Sequence, residues 1–494
     1  MDKSTPFKMP PFTGRNILIF SDGTGQAGGL MPDEVRSNVY KLFRATRCGP
    51  DTKIDPDKQL AFYDPGHGSK AANGGFKIGW MRWIYNLLSS ATGLGISRNI
   101  EDCYAALIYL WRPGDHIFLF GFSRGAYTVR CLGGVLGLCG IPTAIGTERL
   151  RRDPDTVRRI AKEAVQRVYR HGSGASDEKN PDAIGRKDKL RQQRDALGKQ
   201  FREKYSSNGE AGPNAIPHFI GVWDTVAAVG LSPPAMNALR IVAIALVLPI
   251  SVWVAWLRAG TLDSGFAWWF IGTVVGFFAI AYGLYLTIRL KFVVDMPGYN
   301  WWDTVHLTSF KMTFFDRSLN KNVRYARHAL AIDEMRTDFD RVGWVNDGAP
   351  PNREIEEGAW FQQYWFAGNH SDIGGSYPEN ESRLSDLALS WMTTEAKRAG
   401  LLVNDDLLIL FGRSNGPQHD ECRVGVRMFG KRFNWREKSR KMVDNATIHW
   451  SVKQRFDGPP VLVYDIEKPY RPALLRSHEQ FSAVYEAEAK AKDG

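Results

Sequence analysis

Short apolar runs that end at glycine or polar residues recur along the chain, and they predict buried strands. These runs are residues 16–20, 60–63, 117–120, 218–223 and 364–367. Residues 96–111 carry apolar side chains at three- and four-residue spacing and predict a helix, and residues 325–334 also favour a helix. Strands separated by helices predict an α/β fold with a mostly parallel sheet and helices on both faces. Functional groups should then collect at the carboxyl ends of the strands.

Two long apolar runs interrupt this pattern in the middle of the chain. Residues 241–257 are seventeen residues without a charge, residues 266–288 are twenty-three more, and a short polar turn, 258–265, joins them. A helix that spans a bilayer needs about twenty apolar residues. The two runs therefore predict an inserted hydrophobic helical hairpin that crosses a membrane. The alternative is a hydrophobic lid that lies on a bilayer without crossing it.

The charges around this hairpin predict its orientation. Arg240, Arg289 and Lys291 lie at its open ends, whereas Arg258 is the one Lys or Arg in the turn. Because Lys and Arg accumulate on the cytoplasmic side of membrane proteins, both open ends are expected in the cytoplasm. We therefore expect a membrane protein of the bacterial inner membrane with a cytoplasmic catalytic domain.

Changes in composition divide the chain. We expect the first part of the α/β domain at residues 12–235, with a basic flexible or helical insertion at 149–212. The transmembrane hairpin is expected at 236–291 and the second part of the α/β domain at 292–400. A C-terminal basic region and tail follow at 401–494. Within the insertion, we expect a flexible segment with one short helix between His171 and Pro213.

Charge and cysteine content limit the partners. The net charge of the 494 residues is +11, and much of it lies in residues 149–204, with 17 Lys and Arg against 9 Asp and Glu, and in residues 423–441, with 8 against one. Basic residues beside aromatic ones suit an anionic membrane face or a nucleic acid, but neither stretch contains a nucleic-acid motif, so we expect no nucleic-acid partner. The five cysteines have no metal-ligand spacing and the N-terminus lacks a signal-peptide pattern. We therefore expect no metal, no cofactor and reduced thiols.

The sequence Gly-Phe-Ser-Arg-Gly at residues 121–125 is the strongest chemical signal. It follows the apolar run 117–120 and precedes a small-residue amphipathic run, 126–138. Gly-x-Ser-x-Gly between a strand and a helix describes a nucleophile elbow, in which a strained turn exposes a serine hydroxyl above the sheet. Glycine is required on either side because Cβ atoms there would strike the neighbouring strand and helix. The sequence therefore predicts Ser123 as a nucleophile, with an ordinary glycine-rich turn as the alternative.

A serine hydroxyl needs a histidine base and a carboxylate that orients this histidine. In α/β-hydrolases these residues occur in the order Ser, Asp or Glu, His. Asp224 and His370 follow Ser123 in this order, each at the end of a predicted strand. His328 is the alternative base, and Asp372 is the alternative carboxylate, although Asp372 is better suited to ordering its own loop.

The oxyanion that forms during acyl transfer needs two N–H donors. One is expected from Arg124, the residue after the nucleophile, and the other from Gly23 or Thr24 in the glycine-rich loop after the first strand. Asp22 belongs to the same loop, which lacks the Lys-Ser/Thr ending of a phosphate-binding loop. His67, after the second strand, is expected to line the pocket.

Five motifs together resemble a known family. They are residues 20–25 (FSDGTG), 121–126 (GFSRGA), 222–226 (VWDTV), 327–334 (RHALAIDE) and 365–375 (WFAGNHSDIGG). In this order they resemble the catalytic domain of the type VI secretion phospholipase effectors over residues 15–395. The resemblance implies an α/β-hydrolase fold and a triad of Ser123, Asp224 and His370 acting on phospholipid acyl esters. The hydrophobic hairpin and the basic insertion are not part of these motifs, so the resemblance supports the chemistry more than a toxin role.

The sequence thus predicts a membrane-anchored serine esterase or lipase whose partners are a lipid membrane and an acyl-ester lipid substrate. Two alternatives remain. One is a non-enzymatic membrane scaffold that keeps a hydrolase fold, and the other is an esterase or thioesterase of soluble acyl substrates. Protein partners are not indicated by any motif.

Overall fold

Six strands form one parallel sheet at the centre of the protein, and the apolar pattern predicts five of them. The computed structural model describes residues 14–23, 35–66, 94–172, 181–226, 233–262, 265–296, 298–307, 319–320, 322–339, 341–344, 354–355, 358–424, 426–428, 431–442 and 446–493. The strands are β1 (Asn16–Ser21), β2 (Gln59–Asp64), β3 (His116–Phe122), β4 (Pro217–Trp223), β5 (Tyr325–Ala331) and β6 (Phe361–Phe366). Their order across the sheet is β6-β5-β4-β3-β1-β2, and every neighbouring pair is parallel.

Helices account for most of the remaining regular structure. They are α1 (Asn38–Thr46), α2 (Leu94–Leu110), α3 (Arg124–Cys139), α4 (Pro154–Lys162, continued by a π-helix Glu163–Tyr169), α5 (Pro181–Lys204), α6 (Pro233–Leu262), α7 (Phe266–Arg289), α8 (His370–Gly374), α9 (Arg383–Arg398), α10 (Glu421–Val424), α11 (Trp450–Asp457) and α12 (Ser482–Asp493). Short antiparallel strand pairs join Ala144–Ile145 to Glu148–Arg149, Asn208–Gly209 to Gly212–Pro213, Leu290–Lys291 to His306–Leu307, Glu354–Ile355 to Gly358–Ala359, Val426–Met428 to Lys431–Phe433, and Val461–Val463 to Ile466–Lys468.

Both faces of the sheet are covered, which is the expected arrangement for parallel strands. Successive side chains of β1 alternate between two cores: Ile17 and Ile19 pack in one, and Leu18 and Phe20 in the other. The first core is completed by α2, α3, α4 and α5, and the second by α1 and α9. The prediction of an α/β class with helices on both faces is therefore confirmed.

Two local predictions were wrong. Residues 325–334, which favour a helix by composition, contain strand β5, and all seven residues of this strand are buried between β4 and β6. Here the tertiary context overrides the helix propensity of alanine and leucine. The insertion contains α5, a helix of 24 residues and not a short one. Leu197 and Phe201 of α5 are buried in the first core, and this packing supports its length.

The C-terminal region packs against the edge of the sheet. Leu330 of β5 and Trp365 of β6 form a third core with Phe456 and Leu475. The predicted C-terminal region, 401–494, is therefore joined to the α/β domain by buried apolar contacts, and its last residues form α12.

The two apolar runs form helices α6 and α7, which contact each other. Within the described residues, one segment, Phe266–Thr287, is long and apolar enough to cross a membrane, with a mean hydropathy of 1.8 and none of it buried in the protein. A shorter apolar segment, Val247–Arg258, lies in α6. Among the described residues, one candidate span is thus found where two were predicted.

A sharp turn between β3 and α3 carries Ser123. Its φ of 58° and ψ of −119° lie outside the usual regions for a residue with a side chain. A Cβ on Gly121 would lie 2.5 Å from the Gly125 carbonyl oxygen, and a Cβ on Gly125 would lie 1.9 Å from the Ser21 carbonyl oxygen. Both flanking glycines are therefore required by close backbone approach, as the motif predicts.

We expect Gly125→Ala to destabilise the protein by at least about 3 kcal/mol, because the Ser21 backbone cannot move away as a flexible side chain would. Gly185→Ala is the matched control, since no described atom beyond its chain neighbours and its own helix backbone lies within 4 Å of its added Cβ in helix α5. This control should stabilise by about 0.5–1 kcal/mol. Denaturant unfolding measures both, and equal stability of the two variants would contradict the assignment of the turn.

A second prediction concerns Asp64, which is buried at the end of β2 and accepts a hydrogen bond from Ser21 at 2.8 Å. Burial, assisted by the negative charges of Asp102 and Asp22, raises the pKa of Asp64 to about 7. A carboxyl with a raised pKa in the folded state stabilises the protein at low pH, and this contribution is lost as the pH rises from about 4 towards 7.

Asp64→Asn should remove this loss of stability. Relative to wild type, the free energy of unfolding of the variant should therefore rise between pH 4 and 8, by up to about 4 kcal/mol. Asp57→Asn, at an exposed position, is the control. Parallel stability curves of wild type and Asp64→Asn over this range would refute the raised pKa.

Candidate active site

The carboxyl ends of β3 and β4 bring Ser123 and Asp224 close together. The register pairs Phe122 with Trp223, so the next residues of the two strands are Ser123 and Asp224. The Ser123 amide donates to the Trp223 carbonyl at 3.1 Å. Ser123 is only 7% exposed, and Asp224 is fully buried. Two of the predicted site residues therefore lie side by side at the sheet edge.

Backbone hydrogen bonds fix Asp224 firmly. Its φ is 39°, which is unusual for a non-glycine residue. Its amide donates to the Ala329 carbonyl at 2.7 Å, and its Oδ1 accepts from the Ala331 amide at 3.0 Å. Strand β5 therefore holds both the backbone and the carboxylate of Asp224.

His370 meets this carboxylate from the end of β6. It is the first residue of α8, and its Nδ1 lies 2.5 Å from Asp224 Oδ2. Because the carboxylate only accepts, Nδ1–H donates, and the neutral ring keeps Nε2 as an acceptor. His370 Nε2 is buried and has no hydrogen-bond partner among the described residues, so no bond joins it to Ser123 in this conformation.

Aromatic packing sets the position of the imidazole ring. Its centroid lies 4.6 Å from the ring centroid of Phe122, the residue before Ser123, and 5.2 Å from that of Phe339. A Cβ on Gly374 would lie 1.9 Å from the Phe122 ring, so helix α8 sits directly against the strand that carries the serine. The structure thus gathers Ser123, Asp224 and His370 at one edge of the sheet.

Arg440 completes the carboxylate environment, and sequence reasoning missed it. Its Nη1 lies 2.6 Å from Asp224 Oδ1 and its Nη2 lies 2.9 Å from Oδ2. Burial opposes ionisation of Asp224, but the charge of Arg440 and the hydrogen bond from His370 outweigh it and hold the pKa of Asp224 well below its ordinary range. The sequence signal was only a basic stretch, 423–441, in which no single arginine stands out.

A second buried ion pair, between Glu334 and Arg336, supports the His370 backbone. Glu334 Oε2 accepts from the His370 amide at 3.2 Å, and Arg336 Nη2 lies 2.7 Å from the same oxygen. Although burial opposes it, the Arg336 guanidinium lowers the pKa of Glu334. Glu334 ends the motif at 327–334 and was not predicted as a site residue.

The loop after β1 lies next to the nucleophile, but its polar groups are engaged. A Cβ on Gly23 would lie 3.6 Å from Ser123 Cβ. The Gly23 amide donates to Asp22 Oδ1 at 2.7 Å, and Asp22 Oδ2 accepts from the hydroxyls of Ser37 and Tyr63. Asp22 therefore organises this loop, and the Gly23 amide is not available to an oxyanion in this conformation.

The remaining predicted residues divide into three groups. Thr24 and His67 lie outside the described residues. Arg124 is the first residue of α3, where an N–H has no acceptor within the helix. Asp372 accepts from the amides of Asn369 and His419 at 3.0 and 3.1 Å, so it orders its own loop.

His328, the alternative base, is fully buried on β5. Its Nδ1 lies 3.0 Å from Gln363 Oε1, and its Nε2 accepts from the Thr225 amide at 3.4 Å. Burial holds the pKa of His328 well below its ordinary value. These contacts give His328 a structural position and leave His370 as the histidine on the Asp224 carboxylate.

Comparisons with known proteins agree with the motifs. Residues 15–252 and 283–395 match the family described as "T6SS, Phospholipase effector Tle1-like, catalytic domain". An uncharacterized protein of Saccharomyces cerevisiae, YEL023C, is 25% identical over 222 residues, which are 44% of this chain and 28% of the yeast protein.

Two solved structures are also similar. One is a crystal structure of an uncharacterized protein from Pseudomonas aeruginosa, with 17% identity, a TM-score of 0.32, and coverage of 81% of this chain and 48% of that one. The other is the Tle1 effector bound to the VgrG spike from the type 6 secretion system, with 15% identity, a TM-score of 0.29, and coverage of 78% and 56%. The chain thus spans about a quarter to a half of the length of these relatives. Since the family model matches most of its residues, the chain belongs to the Tle1-like phospholipase effector family.

Proposed function

We propose that this protein is a membrane-anchored serine hydrolase with an α/β-hydrolase fold that cleaves acyl esters of phospholipids. The observation that carries the proposal is the hydrogen bond of 2.5 Å between His370 Nδ1 and Asp224 Oδ2, beside a serine held in a strained turn. Membership of a phospholipase effector family supports a lipid substrate.

In this mechanism Ser123 Oγ attacks the acyl carbonyl carbon while its proton passes to His370 Nε2. The tetrahedral intermediate then collapses, the bond to the lipid alkoxide breaks, and Nε2 returns the proton to that alkoxide. Water repeats the sequence on the acyl-enzyme, which releases the fatty acid and restores the serine. Asp224 keeps the required tautomer and stabilises the imidazolium.

The oxyanion needs N–H donors that already point to its position. The Arg124 amide at the start of α3 is the first donor. The second comes from the loop after β1, which must turn the Gly23 amide away from Asp22 or supply the neighbouring amide of Thr24. Formation of the oxyanion site therefore requires a small rearrangement at Gly23 or Thr24, and the attack requires Ser123 Oγ and His370 Nε2 to come within hydrogen-bond distance.

Ser123→Ala should lower fatty-acid release from phospholipid vesicles by about 10⁴-fold or more, because the nucleophile is lost while the fold is kept. Ser390→Ala, at an exposed position on α9, is the control and should match wild type. A fluorophosphonate probe should label wild type and the control but not Ser123→Ala, and peptide mapping should find the label on Ser123.

Three results separate the alternatives. Equal fatty-acid release by wild type and Ser123→Ala would refute the catalytic assignment. Failure of the probe to label folded wild type would favour a non-enzymatic scaffold. Rapid cleavage of short-chain soluble esters or thioesters without cleavage of vesicle lipid would indicate a soluble acyl substrate.

Helices α6 and α7 are proposed to anchor the enzyme as a hairpin in the bacterial inner membrane, with the catalytic domain in the cytoplasm. The apolar side chains of α7 support this, because Phe278 and Ile280 are 62% and 64% exposed. Trp268, 79% exposed near the turn, suits the interfacial region of a bilayer.

Phe278→Arg should weaken membrane retention, because an arginine near the centre of a span costs about 2.5–3.5 kcal/mol. Ile409→Arg is the matched control, since Ile409 is 66% exposed outside the hairpin. After alkaline carbonate extraction, wild type and the control should stay in the membrane pellet and Phe278→Arg should move to the supernatant. Complete release of wild type by carbonate would exclude an anchor and favour a lid that lies on the surface.

A further inference from the structure

A segment outside the family match reaches into the proposed active site. This C-terminal strap, residues 434–442, runs alongside residues 335–339 and 341. The Thr337 amide donates to the Arg436 carbonyl at 2.9 Å, and the Lys438 amide donates to the Met335 carbonyl at 2.7 Å. The family match ends at residue 395, so the strap lies outside the matched residues.

The strap delivers one buried guanidinium to the site. Arg440 is 6% exposed, and besides its two bonds to Asp224 it donates to the carbonyls of Phe339, at 2.6 Å, and Ala331, at 3.2 Å. Four acceptor contacts from three separate chain segments fix the plane of the guanidinium. Because the guanidinium binds both carboxylate oxygens of Asp224 in a bidentate contact, it also fixes the plane of the carboxylate.

We propose that Arg440 is a positioning residue of the hydrolase, which aims the Asp224 carboxylate at His370 and sets the lower pH limit of activity. The inference rests on the proposed function. Without the two hydrogen bonds from Arg440, Asp224 Oδ1 keeps its hydrogen bond from the Ala331 amide. Oδ2 is then free to rotate away from the imidazole of His370.

The effect on pH follows from charge. Burial opposes ionisation of Asp224, and the charge of Arg440 is the largest interaction that outweighs it and holds the pKa of this carboxyl well below its ordinary range. Among the described residues against His370, Glu334 is charged and paired with Arg336, and the rings of Phe122 and Phe339 are uncharged. Loss of Arg440 should therefore make protonation of Asp224 easier and inactivate the enzyme at a higher pH.

The test compares Arg440→Met, Arg440→Lys and the control Arg436→Met, an exposed arginine of the same strap. The pH dependence of kcat/KM is measured with a soluble short-chain ester, so that membrane binding does not contribute. Arg440→Met should lower kcat/KM at neutral pH by about 10²-fold through misplacement of the catalytic pair. Its acid limb should also move to higher pH by about one unit, the shift expected when a neighbouring charge is removed.

Arg440→Lys keeps the charge but loses the bidentate contact, so it should keep the position of the acid limb while kcat falls. Arg436→Met should match wild type in both respects. A folded Arg440→Met variant with the wild-type kcat/KM and acid limb would overturn the proposal, and so would an Arg440→Lys profile identical to that of wild type.

A second measurement keeps the test decisive if Arg440→Met folds poorly or wild type is inactive on every ester. The short bond between His370 and Asp224 should give a strongly downfield proton resonance in wild type. This resonance should vanish in Asp224→Asn, weaken or shift in Arg440→Lys, and remain in Arg436→Met. An unchanged resonance in Arg440→Lys would reject the positioning role, whereas inactive wild type with the expected resonances would reject the proposed function alone.

Discussion

The buried carboxylate of Asp224 is the constraint on which the active-site edge depends. A fully buried anion is costly unless it is paired and hydrogen-bonded on every side. Here His370 and Arg440 share its two oxygens, and the Ala331 amide binds one of them. The same carboxylate therefore ties together β4, β5, the start of α8 and a segment from the C-terminal region.

This arrangement explains why the C-terminal region packs so closely on the domain. Arg440 can reach Asp224 only if the strap is held against residues 335–339 and 341, and the third core around Trp365 and Phe456 anchors the residues that follow the strap. A separated basic tail could not hold a guanidinium against the Asp224 carboxylate. Packing at the sheet edge and the electrostatics of the site are thus parts of one structure.

Local signals predicted much of this site, and long-range contacts supplied what they missed. The turn at Ser123 was predictable because a serine between two glycines, placed between a strand and a helix, usually marks a tight turn in which a Cβ at either glycine would clash. Such clashes would occur at Gly121 and Gly125. Asp224 and His370 were predictable because parallel strands place their ends at one edge. Arg440 was not, because its role depends on a contact across 216 residues, and nothing in its own neighbourhood differs from seven other basic residues. Strand β5 was missed for the same reason, since its alanines favour a helix until burial between two strands decides otherwise.

Chain connectivity links the site to the proposed membrane anchor. Nine peptide steps separate Asp224 from Pro233, the first residue of α6, and they can span at most about 32 Å. Helix α6 has 30 residues and is thus about 45 Å long, which exceeds the hydrocarbon core of about 30 Å. Its first turns, before the apolar run at 241–257, therefore have room to bridge the headgroup layer on the side where Arg240 lies. An anchored enzyme of this geometry keeps its nucleophile within a few tens of ångströms of the bilayer surface, where the lipid esters are. Anchoring then replaces the search for a vesicle with diffusion in two dimensions.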